Sequence, residues 1–146
     1  MSKHYLSKKD VKHFQEKLSS MGLSVPDSGD LQVDETKGRS IYYIGREEVA
    51  VEEGELLPTP AFLNIIKPAK RVIKVDNGAV PHILNGANVF ARGILSMSED
   101  IRKDDYVFIA DQNGRFIATG KAMLDYDPEI RSKSGEAVRT FSLKQS

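Results

Sequence analysis

The first apolar positions of the chain recur at helical spacing. Between Ser7 and Gly22 the apolar side chains are three or four residues apart, which places them on one face of a helix: Val11, Phe14, Leu18 and Met21. Ser7 followed by Asp10 is typical of a helix start, and Gly22 is typical of a helix end. We therefore predict an amphipathic helix from Ser7 to Gly22, with its lysines on the solvated faces.

Shorter apolar runs follow this helix and are typical of strands. They cover residues 31–33, 40–44 and 48–51, and Lys37-Gly38 predicts a turn between the first two. Beyond them, Thr59 before Pro60 predicts the start of a short helix, because proline is tolerated at the first helical position.

A domain boundary is expected where this short helix ends. Lys67 precedes Pro68, and a residue before proline is disfavoured in helical geometry. We therefore expect an α+β N-terminal domain and a second domain. The two expected domains are residues 1–67 and residues 68–146.

The second domain is rich in short strand-like runs. They cover residues 71–75, 88–91, 105–110, 115–123 and 137–143. Asn113-Gly114 is a strong hairpin signal, and Gly120 predicts a bulge or a close approach of another chain segment. Several short strands with one or two short helices in so few residues predict a small, closed or nearly closed mixed β pseudobarrel.

Two Gly-Ala pairs, Gly78-Ala79 and Gly86-Ala87, lie between the first two of these strands. Asp76 and Asn77 are typical of a helix start, and Gly86 suits a left-handed helix end. The pattern predicts a tight turn at Gly78, a two-turn helix and a glycine stop. A helix start beside glycine leaves backbone N–H groups that favour phosphate, but such a connection also occurs in small α/β domains without any ligand.

Composition narrows the function classes. The chain has 21 basic and 21 acidic residues and no cysteine, which excludes disulfides and thiolate chemistry. Since the net charge is zero, any nucleic acid must be attracted by a local patch. No apolar signal core or membrane-length run is present, so we expect a cytoplasmic protein without membrane contact.

No side chains are arranged as expected for catalysis or metal binding. The carboxylates between Glu47 and Glu55 lack a histidine or aspartate at ligand spacing and are interpreted as a solvent-facing rim. The chain has only three histidines, His4, His13 and His82, so neither a metal nor another cofactor is expected. An enzyme that uses the rim carboxylates is a less favoured alternative.

The C-terminal motifs, taken together and in order, resemble the PUA domain, an RNA-binding module of pseudouridine synthases and archaeosine transglycosylases. The resemblance covers roughly residues 70–144. It is carried by the segments 75–79, 86–89, 93–94, 105–109, 113–114 and 117–122. The whole chain is similar to stand-alone archaeal proteins and to the translation factor that partners the density-regulated protein.

The resemblance implies a pseudobarrel that binds structured RNA through a surface of small and uncharged residues flanked by cations. The implied RNA-binding residues are Lys74, Asn77, Gly78, Ala79, His82, Asn85, Gly86, Ala87, Asn88, Arg92, Gly93 and Lys121. Further flanking cations are Lys70, Arg71, Arg102 and Lys103, each interpreted as an ordinary surface charge. Three aromatic side chains are expected to be buried rather than to stack on bases: Tyr42, Tyr43 and Phe90.

Two functions from different classes remain open. The first is a non-catalytic protein that binds tRNA or rRNA in RNA modification, ribosome function or translation. The second is an adaptor associated with the small ribosomal subunit or a translation factor, whose main contact is another polypeptide. In that case the acidic rim of the N-terminal domain is the contact surface.

Overall fold

The computed structural model describes residues 3–25 and 30–141. They form two compact units, Met1–Ile66 and Lys67–Ser146, one residue from the boundary that the sequence predicts. The first unit contains β1 (His4–Tyr5), α1 (Lys8–Ser20), β2 (Leu31–Thr36), β3 (Arg39–Ile44), β4 (Glu47–Glu53), β5 (Glu55–Pro58) and α2 (Pro60–Ile66).

An antiparallel sheet in the order β1-β2-β3-β4-β5 forms this first unit. Helix α1 buries Phe14 and Leu18, and the ring of Phe14 lies 4.8 Å from the ring of Tyr42 on β3. The Ser7 side chain accepts a hydrogen bond from the Asp10 N–H at 3.2 Å, which confirms the predicted helix start. The pattern missed β1 and β5, because strands of two and four residues are too short to show alternation.

Helix α2 begins as predicted. The Thr59 hydroxyl oxygen accepts a hydrogen bond from the Phe62 N–H at 3.1 Å and donates one to the Glu48 carbonyl at 2.7 Å. Thr59 is buried, so this double role caps the helix and joins it to β4. On β3, burial and a hydrogen bond to Glu52 raise the pKa of Tyr42 above its usual value.

The second unit is a mixed β structure with one short helix. It contains β6 (Val72–Val75), α3 (Val80–Leu84), β7 (Val89–Phe90), the 3₁₀ turn η1 (Ala91–Gly93), β8 (Ile94–Met97), β9 (Tyr106–Ala110), β10 (Phe116–Ala122), the 3₁₀ turn η2 (Ile130–Ser132) and β11 (Glu136–Phe141). The end of the last predicted strand, residues 142–143, lies outside the described residues.

Six strands of this unit are ordered β7-β11-β10-β9-β6-β8. Strand β6 runs parallel to β9 and antiparallel to β8, so the sheet is mixed, as expected. Its inner face packs a core that includes Ile73, Val75, Val107 and Val138. Strand β8 was not predicted, because four residues are too short to show alternation.

Two glycine predictions are confirmed in this unit. Gly114, with φ +86°, lies in the hairpin between β9 and β10. A Cβ on Gly120 would lie 2.5 Å from Val138 Cγ1 and 2.8 Å from the Arg139 carbonyl oxygen, so β10 and β11 approach closely here. In the part of the chain that the structure describes, no helix is both long and apolar enough to cross a membrane.

Candidate nucleic-acid interface

The turn before α3 is fixed to η1. The Asp76 N–H donates to the Gly93 carbonyl at 2.9 Å, and an Asp76 carboxylate oxygen accepts from the Ala79 N–H at 2.9 Å. A Cβ on Gly93 would lie 3.5 Å from the Ala79 Cβ, so the two segments are in close contact. The structure therefore brings the turn at residues 76–79 together with Arg92 and Gly93.

Asp76 lies just before the start of α3, where backbone N–H groups were expected to be free for a phosphate. Asp76 and Asn77 do not cap the helix, which begins at Val80 after Ala79 and has no side-chain cap. Asp76 instead holds the Ala79 N–H within the preceding turn, so that donor is not free for a phosphate. The carboxylate also places a negative charge where an anion was expected, which disfavours binding at this one position.

Gly78 does not have the conformational role that the sequence suggested. Its φ is outside the left-handed region, and an added Cβ would lie 3.4 Å from the Asp76 carboxylate, an ordinary contact. A side chain is therefore compatible with the backbone at this exposed position. Helix α3 is also shorter than predicted, with five residues in place of two full turns.

The other end of α3 stops as predicted. Gly86 has φ +94°, its N–H donates to the Ile83 carbonyl, and the Ala87 N–H donates to the His82 carbonyl, both at 2.9 Å. These two bonds are those of a Schellman motif, in which a left-handed glycine satisfies the last helical carbonyls. His82 and Asn85 are exposed at this end of the helix.

The side-chain amide of Asn88 forms two hydrogen bonds to β11, one through its nitrogen and one through its oxygen. Its Nδ2 donates to a Glu136 carboxylate oxygen at 2.5 Å, and its Oδ1 accepts from the Thr140 N–H at 3.0 Å. The amide therefore joins the α3–β7 connection to β11. Asn88 was expected to contact RNA, and the structure gives its side chain a positioning role instead.

Lys121 does not lie with the α3 surface. It is opposite Tyr106 and Arg139 on the neighbouring strands, and its Nζ is 5.2 Å from the centre of the Tyr106 ring. Its neighbour Ala122 packs in the core that also receives Ile83 of α3. Because side chains alternate along a strand, Lys121 projects from the opposite face of β10.

Lys74 is in a similar position on β6. It is exposed between Ile73 and Val75, which are both buried in the core. The alternation directs Lys74 to the outer face of the sheet, opposite Ser96 and Ala110. Of Lys74, Arg92 and Lys121, only Arg92 lies directly beside the turn at residues 76–79.

Comparison with known proteins places this geometry in a family. The model of the PUA domain matches residues 71–141, and the model of a domain of unknown function, DUF1947, matches residues 2–66. A conserved PUA domain protein from Thermoplasma acidophilum is 38% identical, with a TM-score of 0.87 over 99% of this chain and 95% of that chain. The chain belongs to the PUA-domain protein family. The predicted fold is thereby confirmed.

Other PUA relatives fall into two groups. An uncharacterized protein of Methanocaldococcus jannaschii is 29% identical over 95% of this chain and 90% of its own length. A probable tRNA pseudouridine synthase B of Korarchaeum cryptofilum is 35% identical over 45% of this chain but only 20% of its own length. A tRNA-guanine(15) transglycosylase of Thermococcus onnurineus is 38% identical over 49% of this chain and 12% of its own length. PUA domains thus bind RNA and occur in tRNA-modifying enzymes.

A third tRNA enzyme resembles both units of this PUA-domain protein. The tRNA (cytosine(72)-C(5))-methyltransferase of Pyrococcus horikoshii is 26% identical over 88% of this chain and 32% of its own length. The similarity extends over most of the chain, whereas the matches to the other two enzymes cover about half of it.

Two residues of the PUA unit lie in positions that the sequence does not predict. Phe90 was expected to be buried, but it is 56% exposed on the edge strand β7. Arg131 was not singled out. It lies on η2, which packs against η1, the turn that carries Arg92. The guanidinium groups of Arg92 and Arg131 have no hydrogen-bond or ion-pair partner among residues 3–25 and 30–141. No local sequence signal joins two arginines that are so far apart in the chain.

Proposed function

We propose that this protein is a non-catalytic RNA-binding protein that recognises structured RNA, either tRNA or rRNA, in RNA modification, ribosome function or translation. The observation that carries the proposal is the exposed Arg92 beside the fixed turn at residues 76–79 of a PUA unit. An exposed guanidinium without an acidic partner is available for a phosphate, and the small residues next to it admit a sugar–phosphate chain.

The mechanism is one of positioning. The bonds of Asp76 and Asn88 hold both ends of the α3 segment in place before RNA arrives, so little order has to be gained on binding. Contacts from backbone N–H groups and from exposed His82 and Asn85 then recognise the shape of the RNA more than its sequence.

Similarity to enzymes supports a binding role for the shared unit. The chain spans 20% of the pseudouridine synthase and 12% of the transglycosylase, and the two matches cover 45% and 49% of this chain. We therefore place no catalytic step in this chain. A role in translation belongs to the same proposal, because the chain resembles the factor that partners the density-regulated protein.

The test compares Arg92→Gln with the parent protein and with Arg115→Gln, an exposed arginine in the hairpin between β9 and β10. Binding to unfractionated tRNA and to rRNA fragments is measured by fluorescence anisotropy at several salt concentrations. Arg92→Gln is expected to weaken binding and to reduce the salt slope by about one phosphate contact. An unchanged slope, or the same loss for Arg115→Gln, would count against the assigned surface.

The adaptor function is retained as a second candidate for the N-terminal unit. Glu47, Glu48 and Glu53 are exposed on β4, and carboxylates at this density repel RNA phosphates. A basic polypeptide is the partner that such a surface favours.

A further inference from the structure

A pocket of about 440 Å³ lies in the PUA unit beside the outer face of β6 and the chain that leads into this strand. The volume is within the range of small-molecule sites. Apolar residues form most of its wall: Pro68, Val72, Met97, Ala110 and Phe116. Ala110 and Phe116 are buried, and Val72 is half-buried, so a ligand that enters the pocket meets apolar groups.

Two polar side chains without a protein partner lie next to each other at this pocket. Lys74 on β6 is paired with Ser96 on β8, and both residues are exposed and line the pocket. Residues paired across two antiparallel strands have Cβ atoms about 5 Å apart. In the part of the chain that the structure describes, the Lys74 ammonium group forms no ion pair and the Ser96 hydroxyl forms no hydrogen bond. The pair therefore offers two adjacent donors to one anionic group.

A third polar side chain at the pocket is already satisfied. The Ser98 hydroxyl oxygen accepts a hydrogen bond from the Val72 N–H at 2.9 Å and donates one to the Val72 carbonyl at 3.2 Å. Ser98 thus joins the chain after β8 to β6 and has a structural role. Among the described residues that line the pocket, Lys74 is the only one with a charge. The site therefore favours an occupant with a single negative charge.

The chain that leads into β6 is strained and held in place. Arg71 has φ +58°, which a residue with a Cβ adopts at a cost in energy. Its N–H donates to an Asp100 carboxylate oxygen at 3.1 Å, and its guanidinium group lies 3.8 Å from an Asp105 carboxylate oxygen. Backbone strain of this kind is concentrated at ligand sites. The wall formed by Val72, the next residue, is therefore in place before a ligand arrives.

We propose that this pocket binds a small organic acid, whose carboxylate lies on Lys74 and Ser96. Its apolar body then packs against Val72, Met97 and Phe116. The inference goes beyond the proposed RNA-binding function and does not rest on it. The two oxygens of a carboxylate match one ammonium and one hydroxyl donor. A free phosphate has more charge and more oxygens than these donors satisfy, and it has no apolar body to contact the wall.

The experiment titrates the full chain with hexanoate, acetate, 1-hexanol and inorganic phosphate, and it follows the backbone amides by ¹⁵N–¹H NMR. Hexanoate carries both a carboxylate and an apolar body, whereas acetate has little more than the charge and 1-hexanol has only the apolar body. Hexanoate is expected to give saturable shifts of the amides of residues 72–74 and 96–97. Its affinity is expected to be about tenfold or more above that of each other probe.

Variants at Lys74 test the ammonium group. Lys74→Gln removes the charge and is expected to weaken hexanoate binding by about tenfold. Lys74→Arg keeps the charge and is expected to keep most of the affinity. Lys70→Gln is the matched control, because Lys70 is exposed and close in the chain but does not line the pocket. The same spectra show whether each variant is folded.

Three results overturn the inference. If hexanoate and 1-hexanol bind equally well, or if Lys74→Gln binds hexanoate as the parent does, the pocket recognises no carboxylate. If no probe gives saturable shifts at residues 72–74 and 96–97, the pocket is not a ligand site. If phosphate binds more tightly than hexanoate and Lys74→Gln lowers the salt slope of RNA binding, Lys74 contacts an RNA backbone. In that case the proposed RNA-binding function stands and this inference fails.

Discussion

The two Gly-Ala pairs of the PUA unit look equivalent in the sequence, but their glycines differ physically. Gly86 has φ +94°, a conformation that a residue with a Cβ adopts only with strain. Gly78 is outside that region, and an added Cβ makes an ordinary contact with Asp76. Gly86 thus serves the helix end, and Gly78 is the position where a side chain tests the RNA surface itself.

Alanine at the two glycine positions is expected to change the stability of the protein by different amounts. Gly86→Ala is expected to lower the free energy of unfolding by about 1 kcal/mol, because alanine resists a positive φ. Gly78→Ala is expected to change it by less than about 0.5 kcal/mol, since the position is exposed and unstrained. Urea denaturation followed by circular dichroism measures both values. Equal losses for the two variants would contradict the different roles.

A longer side chain at position 78 tests whether RNA binds against this surface. Gly78→Gln is expected to leave the urea midpoint near that of the parent while it weakens RNA binding, because the side chain occupies exposed surface beside Arg92.

At the scale of secondary-structure elements, Asn88 joins two segments that are far apart in the chain. Its amide bonds Glu136 and the Thr140 N–H of β11, so the end of the α3 segment is held by the last strand. Gly120 allows β11 to lie close to β10 at the same level of the sheet, since it pairs with Thr140. The RNA surface therefore depends on correct docking of β11.

Asn88→Ala is expected to lower the free energy of unfolding by about 1–2 kcal/mol, because the Thr140 N–H loses its acceptor. Amide hydrogen exchange is expected to show reduced protection at Thr140 in particular. RNA affinity is expected to fall only to the extent that the loss of these bonds disorders the RNA surface. If stability and exchange are unchanged while RNA binding is lost, Asn88 contacts RNA directly, as the resemblance first implied.

At the scale of the whole molecule, the two units differ in the charge that they expose. The N-terminal unit presents Glu47, Glu48 and Glu53, whereas the PUA unit presents Arg92 and Arg131 on adjoining turns. The net charge of zero conceals this division. The division favours RNA as the partner of the PUA unit and a basic polypeptide as the partner of the N-terminal unit.

Affinity capture with the full chain, before and after nuclease treatment, tests whether the two units bind different partners. Partners retained through RNA are expected to be released by nuclease and by Arg92→Gln. Partners retained through the acidic surface are expected to withstand nuclease and to be lost on Glu47→Gln combined with Glu48→Gln. Loss of every partner on nuclease treatment would remove the adaptor candidate.

Local patterns in the chain were sufficient for several features. The spacing of apolar residues and the Ser7 cap predicted α1, Thr59 and Pro60 predicted α2, and Asn113-Gly114 predicted a hairpin. Each of these signals acts within a few residues, so neighbouring side chains determine it. The order of the C-terminal motifs indicated the PUA fold, which the comparisons confirm.

Other features were decided only by contacts between distant segments. The sequence alone determined the caps of α1 and α2, the glycine stop after α3 and the hairpin turn at Asn113-Gly114, because those choices depend on local backbone energies. Tertiary structure decided that Lys121 and the α3 core contact lie on opposite faces of β10, that Asn88 bonds β11, and that the turn carrying Arg131 packs against the turn carrying Arg92. Strand register and the packing of one turn on another set these positions, and neither leaves a trace in the residues next to each side chain.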